Sequence, residues 1–326
     1  MAKAHTTLPV AEDDVLAARE TIGERLHRTP TFSSATLSAR IGGPVALKAE
    51  LFQRTGSFKP RGMLNVLAQL SDEEKARGVI TISAGNAAQS LAYCSALEGI
   101  DCLVVMWQGS SVAKQAATRE YGAELDLEAT TPGEAFERLE ILREQTRRAF
   151  VHSFDDPHLI AGHGTLALEV LEDVPDVATI VVPIGGGGLI SGIATTVKGA
   201  RPDVRVVGVE PELSPAMHVA LEAGEPVTVE PKSVADGLNA PFAGENTLAI
   251  CRELVDEMVL VSEEQIRAAM RFVYERAKVA CEPAGAVSTA ALLAGKIDVD
   301  PAGTTVTVVS GGNVAPQTAV AILGEE

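Results

Sequence analysis

From residue 79 to residue 152 the chain alternates between short apolar runs and stretches of helical spacing. Val79–Ser83, Asp101–Met106, Ala123–Glu128 and Phe150–His152 read as strands, with helices at Ala87–Leu97, Val112–Tyr121 and Pro132–Arg148 between them. The alternation resumes with strands at Thr179–Ile184, Val204–Val209, Glu257–Val261 and Thr304–Ser310, and helices at His158–Leu171, Leu189–Lys198, Glu263–Lys278 and Ala286–Ala294. Repeated strand–helix units at this spacing demand a parallel sheet with helices on its faces. Upstream, Val15–Leu26 reads as a helix and Val45–Leu51 as a strand. Glu225–Gly244, rich in Pro, Gly and Asn, reads as a long irregular connection, and Asp155-Asp156-Pro157 as a boundary. Ser262 followed by Gln265 predicts a capping box.

One lysine stands out against this frame. In Thr55-Gly56-Ser57-Phe58-Lys59-Pro60-Arg61-Gly62, Lys59 sits just before a proline suited to a first helical turn, and Met63–Leu70 has helical spacing. Lys59 is therefore expected where a loop enters a helix. The positive end of the helix dipole disfavours an ammonium there and helps to free the amine. A neutral lysine is a nucleophile, typically for a Schiff base. For a lone lysine, the competing reading is a solvated surface charge.

Composition narrows the field. With 326 residues, 46% hydrophobic and 22% charged, the chain can bury a large core and suggests about two domains. A formal net charge of −17 repels phosphate backbones and anionic lipid, which argues against nucleic-acid and membrane partners. Cys94, Cys102, Cys251 and Cys281 lack the spacing of a zinc site or a redox motif and fit reduced core residues. Met1–Pro9 has no apolar signal core, and no apolar run is long enough to span a bilayer. A cytoplasmic enzyme is the expectation.

Two glycine-containing motifs follow strands and open helices. Gly185-Gly186-Gly187-Gly188 follows Thr179–Ile184, and Ser83-Ala84-Gly85-Asn86-Ala87-Ala88-Gln89 follows Val79–Ile82. Four consecutive glycines cost unfolded-chain entropy, which a mere flexible turn does not repay. A strand running into such a loop and then a helix aims several N–H groups at one concavity, a place for phosphate. A dinucleotide is the rival ligand, and Glu210 about 20 residues on imitates its ribose-binding acid. No register of the loop gives Gly-x-Gly-x-x-Gly, however, and no Gly-Lys-Ser/Thr occurs. Ser83 and Asn86 alone would read as an ordinary helix cap.

Taken in order with Ser310-Gly311-Gly312-Asn313, these motifs resemble the fold-type-II pyridoxal-phosphate (PLP) enzymes, and within them the threonine/serine dehydratase and serine racemase group. The resemblance covers nearly the whole chain. It implies an α/β fold of two open, mostly parallel twisted sheets with flanking helices, like the tryptophan synthase β chain. It also implies a large PLP-binding domain at residues 1–69 plus 157–326, a small domain at 70–156, and a site in the cleft at the carboxyl ends of the strands. Lys59 would carry PLP and act as general base at Cα, with Phe58 against the ring. Gly185, Gly186, Gly187, Gly188 and Leu189 would hold the phosphate, Asn86 the 3-hydroxyl, and Ser310 the ring nitrogen. Ser83, Gly85, Asn86 and Ala87 would bind the substrate carboxylate. Glu282, in Glu282-Pro283-Ala284-Gly285, resembles a segment near the cofactor, with a helix start as its alternative role.

The activity implied is β-elimination from a 3-hydroxy amino acid such as L-threonine or L-serine, giving a 2-oxo acid and ammonia. A racemase of the same family is the nearest alternative, and a β-replacement synthase a further one. The family's usual assembly is a homodimer. Several positions depart from the pattern. Ala87 stands where the family has His, which is expected to enlarge the pocket, and His163 stands where a Gln is common. Ala216 stands where some relatives place a metal-binding Asp six residues after the Glu that matches Glu210, so no metal is expected.

Overall fold

The structure is a computed structural model that describes residues 8–325. Its strands are β1 (Thr31–Ser33), β2 (Val45–Ala49), β3 (Val79–Ile82), β4 (Cys102–Trp107), β5 (Glu124–Ala129), β6 (Ala149–Phe150), β7 (Val177–Pro183), β8 (Arg205–Pro211), β9 (Glu257–Val261) and β10 (Thr304–Val309). They form a six-stranded sheet in the order β1-β2-β10-β7-β8-β9 and a four-stranded sheet in the order β5-β4-β3-β6. Every pairing is parallel except β1 with β2. This is the expected architecture of two open α/β sheets. The short antiparallel edge strand β1 has three residues, too few to carry a usable periodicity.

The strands are apolar without alternation because both faces are covered. Along β7, Ile180 and Val182 join the cluster under the helices Pro157–Asp173 and Gly188–Ala200, while Val181 faces a second cluster that includes Ala286, Val287 and Ala290 of the helix Pro283–Leu293. Neighbouring residues thus feed opposite cores, as the strand period requires. The small sheet is likewise sandwiched, with Val79 and Val104 in one cluster and Ile80 and Val105 in another.

The predicted capping box at Ser262 and Gln265 is present. The helix it starts is shorter than expected: regular α-helix ends at Phe272, and a π-turn over Val273–Ala277 leads to Lys278 at φ 60°. Residues 225–244 are irregular apart from a single 3-10 turn at Asp236–Leu238. Of the polar stretch Met1–Pro9, residues 1–7 lie outside the described part.

Parallel pairing sends the carboxyl ends of β2, β7 and β10 to the same rim of the large sheet. The segment leading to Lys59 follows β2, the four glycines follow β7, and Ser310 follows β10. Three sequence-distant motifs therefore meet by topology alone.

Candidate active site

Lys59 precedes the helix Pro60–Gln69, whose first residue is the proline. Its segment is stitched to the end of β10. Phe58 N–H donates to Ser310 C=O at 3.1 Å, Gly312 N–H donates to Gly56 C=O at 2.9 Å, and Ser57 bridges Gly311. Ser310, itself buried, is thereby fixed beside Phe58 and Lys59. The Lys59 Nζ donates to the Ser153 carbonyl at 2.7 Å and lies 5.2 Å from the Phe58 ring centroid. No carboxylate pairs with it among the described residues. Part of the side chain reaches the cleft, but the dense protein around it brings its pKa down to about 8. The sequence argument for a neutral amine leaned on the helix end, whereas the structure adds burial as a cause.

Below Lys59 the helix start is held by a buried charge network. Arg61 donates to both oxygens of Glu50 at 2.9 Å and to Glu169 at 2.7 and 3.0 Å. Lys48, fully buried, donates to Glu169 at 2.5 Å and to the Thr29 carbonyl at 2.7 Å. His163 packs on the other side, its ring edge-on to Phe58 at 4.7 Å between centroids. Both of its nitrogens are buried without a hydrogen-bond partner, and burial keeps its pKa well below the usual value. The ring is thus neutral and faces the interior. A Cβ on Gly62 would come within 2.5 Å of its Nε2, so the helix start and the ring are fitted to each other.

The four glycines form a close-built cradle. Gly187 adopts φ 97° and caps the helix Gly188–Ala200. A Cβ at Gly185 would come within 3.1 Å of the Leu238 backbone, at Gly186 it would collide with the Phe154 ring, and at Gly188 it would lie 2.6 Å from the Phe154 carbonyl. Only glycine fits these places, and the N–H groups of the first helical turn, including Leu189, have no intrahelical partner. Ser153, whose carbonyl accepts the Lys59 hydrogen bond, is the neighbour of Phe154, so the amine and the cradle share one short segment.

Asn86 opens the helix Asn86–Glu98. Its amide is oriented from both ends: Nδ2 donates to Glu282 Oε1 at 2.7 Å, and Oδ1 accepts from Asn313 Nδ2 at 2.9 Å. The second N–H of Nδ2 remains available for a ligand. Ser83 Oγ accepts from Gly85 N–H at 3.2 Å. Ala87 contributes backbone rather than a cleft wall, for its methyl packs in the core of the small sheet. The enlarged pocket expected from this alanine therefore is not formed by its side chain.

Several participants were not assigned from sequence. Glu282 is buried, touches Asn86, and keeps Oε2 without a partner. Burial first, and then the nearby Asp236, push its pKa up to about 7. Phe154 and Phe242 form an aromatic pair beside the cradle, 5.7 Å between centroids. Asn313, quoted in the last motif without a role, bridges Thr55 C=O and Asn86. Only Glu282 carried a sequence signal, through its Pro-Ala-Gly context.

An unpaired, partly buried amine, a glycine cradle at a helix start, and a doubly fixed amide can hold a phosphorylated aldehyde. The profile of the family described as "Pyridoxal-phosphate dependent enzyme" matches residues 22–311. The L-threonine ammonia-lyase of Thermotoga maritima is 44% identical over 303 residues, 93% of this chain and 75% of that protein. A catabolic L-threonine dehydratase of Escherichia coli is 43% identical over 309 residues, 94% of each chain. Among solved structures, maize serine racemase superposes with a TM-score of 0.91 at 34% identity, covering 95% of both chains.

Proposed function

Because the chain belongs to the family of pyridoxal-phosphate-dependent enzymes, we propose that it converts a 3-hydroxy amino acid such as L-threonine or L-serine to a 2-oxo acid and ammonia, the water lost by β-elimination being matched by the water that hydrolyses the product. The observation that carries this reading is Lys59: an amine without a carboxylate partner, its pKa lowered to about 8, beside a cradle that only glycines fit. The same residues fit the cofactor. Lys59 would hold its aldehyde carbon, Gly185–Gly188 and Leu189 its phosphate, Asn86 its 3-hydroxyl, Ser310 its ring nitrogen, and Phe58 its ring edge. When bound, PLP supplies a sink for the electrons left at Cα.

The protein's own work is binding and proton handling. Ser83 and the N–H groups from Gly85 to Ala87 orient the substrate carboxylate at a helix start. Lys59 Nζ takes the Cα proton, which a pKa near 8 allows at neutral pH. The β-hydroxyl leaves as water, and the nitrogen leaves as ammonia once the enamine product is hydrolysed. By the resemblance to serine racemases, the residue directly before Gly85-Asn86 is where a proton donor to the opposite face of Cα would stand, and Ala84 has no exchangeable proton to offer there. This supports elimination over racemisation.

The test is a panel of 3-hydroxy amino acids, with 2-oxo acid and ammonia followed beside chiral chromatography of the recovered substrate. Ammonia and 2-oxo acid are expected in equal amounts, with inversion slower by roughly 10²–10⁴-fold. Faster accumulation of the opposite enantiomer would overturn the assignment, and Ala84→Ser is expected to raise inversion. We also read residues 70–156 as a small domain inserted into the rest. We expect a homodimer, for which light scattering is the measurement. Four buried free cysteines support a reducing, cytoplasmic setting, testable by cell fractionation. No helix among the described residues is long and apolar enough to cross a membrane.

A further inference from the structure

The irregular connection between residues 225 and 244 throws a strap across the cleft. Its turn, Asp236–Leu238, touches three parts of the site described above. The Leu238 backbone lies against Gly185, where a Cβ would come within 3.1 Å. Gly237 faces Glu282 Oε1 and Asn86 Nδ2, which would be 3.7 and 3.8 Å from a Cβ placed there. Asp236 reaches over to the small-sheet half and pairs with Lys114 of the helix Val112–Glu120.

The base of the strap is hydrogen-bonded to the large-sheet half, and Phe242 near its end packs on Phe154. Val234 N–H and Ser233 Oγ donate to Glu263, and Asn239 Nδ2 donates to the Ser233 carbonyl at 2.9 Å. Among the described residues, the tip's polar tie to the other half is the Asp236 pair, with Gly237 lying against Asn86. Lys114 is largely covered, with a side chain 14% exposed, whereas Asp236 is 55% exposed. An extended lysine held under cover toward an exposed carboxylate is a contact between two bodies, not a solvated surface charge.

We propose that Lys114 and Asp236 are positioning residues: their ion pair latches the strap to the small-sheet half and so holds the cleft closed over a bound amino acid. The proposal rests on reading this cleft as the place where the amino acid reacts. Neither residue touches the reacting atoms. Their effect passes through Gly237 to Asn86 and Glu282, and through Leu238 to the glycine cradle. A latch of this kind stabilises the closed state before and during the reaction alike, so its loss weakens substrate binding more than it slows chemistry.

The test uses the holoenzyme and four variants: Lys114→Gln, Asp236→Asn, the exchanged pair Lys114→Asp with Asp236→Lys, and Glu98→Gln as control. Glu98 pairs with Arg25 at the far end of the helix that Asn86 begins, away from the strap. Each single latch variant is expected to raise KM about twofold to fivefold with kcat nearly unchanged, in keeping with a partly exposed ion pair. The exchanged pair is expected to recover most of the loss, which a merely structural role would not do. Wild-type KM is expected to climb with added salt while that of Lys114→Gln stays flat. Limited proteolysis within residues 225–244 is expected to be faster in the single variants and as slow as wild type in the control. Unchanged KM and unchanged proteolysis in both single variants would overturn the latch, as would an exchanged pair no better than its parents. A wild-type enzyme that turns over no 3-hydroxy amino acid would sink the proposed reaction instead, because the proteolysis rate reads the strap without turnover.

Discussion

Lys59 and Arg61 stand two residues apart at the start of one helix, and the fold treats them in opposite ways. Arg61 is enclosed by two carboxylates, Glu50 and Glu169, with Lys48 completing a buried, charge-balanced group. Lys59 meets only a carbonyl. The carboxylates show the same division: Arg61, against the cost of burial, holds Glu50 below the usual range, while Glu282 without a cationic contact rises to about 7. Charges that hold the helix start in place are paired with opposite charges. Groups that face the cleft are left unpaired, so that their protons can move.

The largest effect is expected where an unpaired group is replaced by one that cannot lose its proton. Lys59→Arg keeps the positive charge but not a titratable amine, and turnover is expected to fall on the order of 10⁴-fold. Release of 2-oxo acid checks this, with circular dichroism to confirm the fold. A variant keeping a tenth of wild-type activity would break the contrast between the two cations. Next comes Arg61→Ala, which strands the buried Glu50 and leaves Glu169 to Lys48 alone. It is expected to cost about 3–5 kcal/mol in urea unfolding. A loss below about 1 kcal/mol would mean that the buried network does not hold the helix start.

Glu282 sharpens the comparison through pH. Its pKa in the folded protein, about 7, lies above the ordinary 4.5, so the folded state grips the proton more tightly. The stability this carboxyl contributes is complete below pH 4.5 and is lost as pH rises through about 7. Relative to Glu282→Gln, the wild-type melting temperature is therefore expected to drop across that window. Parallel melting curves from acid to neutral pH would show that Glu282 titrates normally. The smallest effect concerns Glu210, whose two oxygens accept from Met217 N–H and His218 N–H at 2.8 Å each. With its oxygens so engaged and Ala216 offering no carboxylate, exhaustive EDTA treatment is expected to leave activity unchanged. Abolition with rescue by magnesium or calcium would place a cation there after all.

What could be read from the chain divides along the same physical line. Buried parallel strands announce themselves because both faces are apolar, as in Ile180-Val181-Val182, and four glycines in a row admit few explanations. Lys59 was legible from its neighbours, Gly56, Phe58 and Pro60. The contacts of Asn86 were not: its partners Glu282 and Asn313 lie 196 and 227 residues away and are brought near only by tertiary structure. Phe154 gave no warning either, since an aromatic residue beside Asp155-Asp156-Pro157 looks like any loop residue. The direction of the Ala87 methyl was hidden for a related reason. A residue next to a motif on a helix points wherever the helix turns it, and here that is into the core.

The strand order has a consequence for how the molecule comes into being. β10 lies last in the sequence yet occupies the middle of the large sheet, between β2 and β7. Until it is synthesised, β2 and β7 each present an unsatisfied edge, and Lys59 lacks the neighbour that fixes its loop. The newborn chain on the ribosome thus has its reactive lysine and its glycine cradle long before it can join them. Closure of the sheet by β10 and completion of the proposed cofactor site are therefore expected to be one late event, with a chain truncated before β10 expected to be inert and prone to edge-to-edge aggregation.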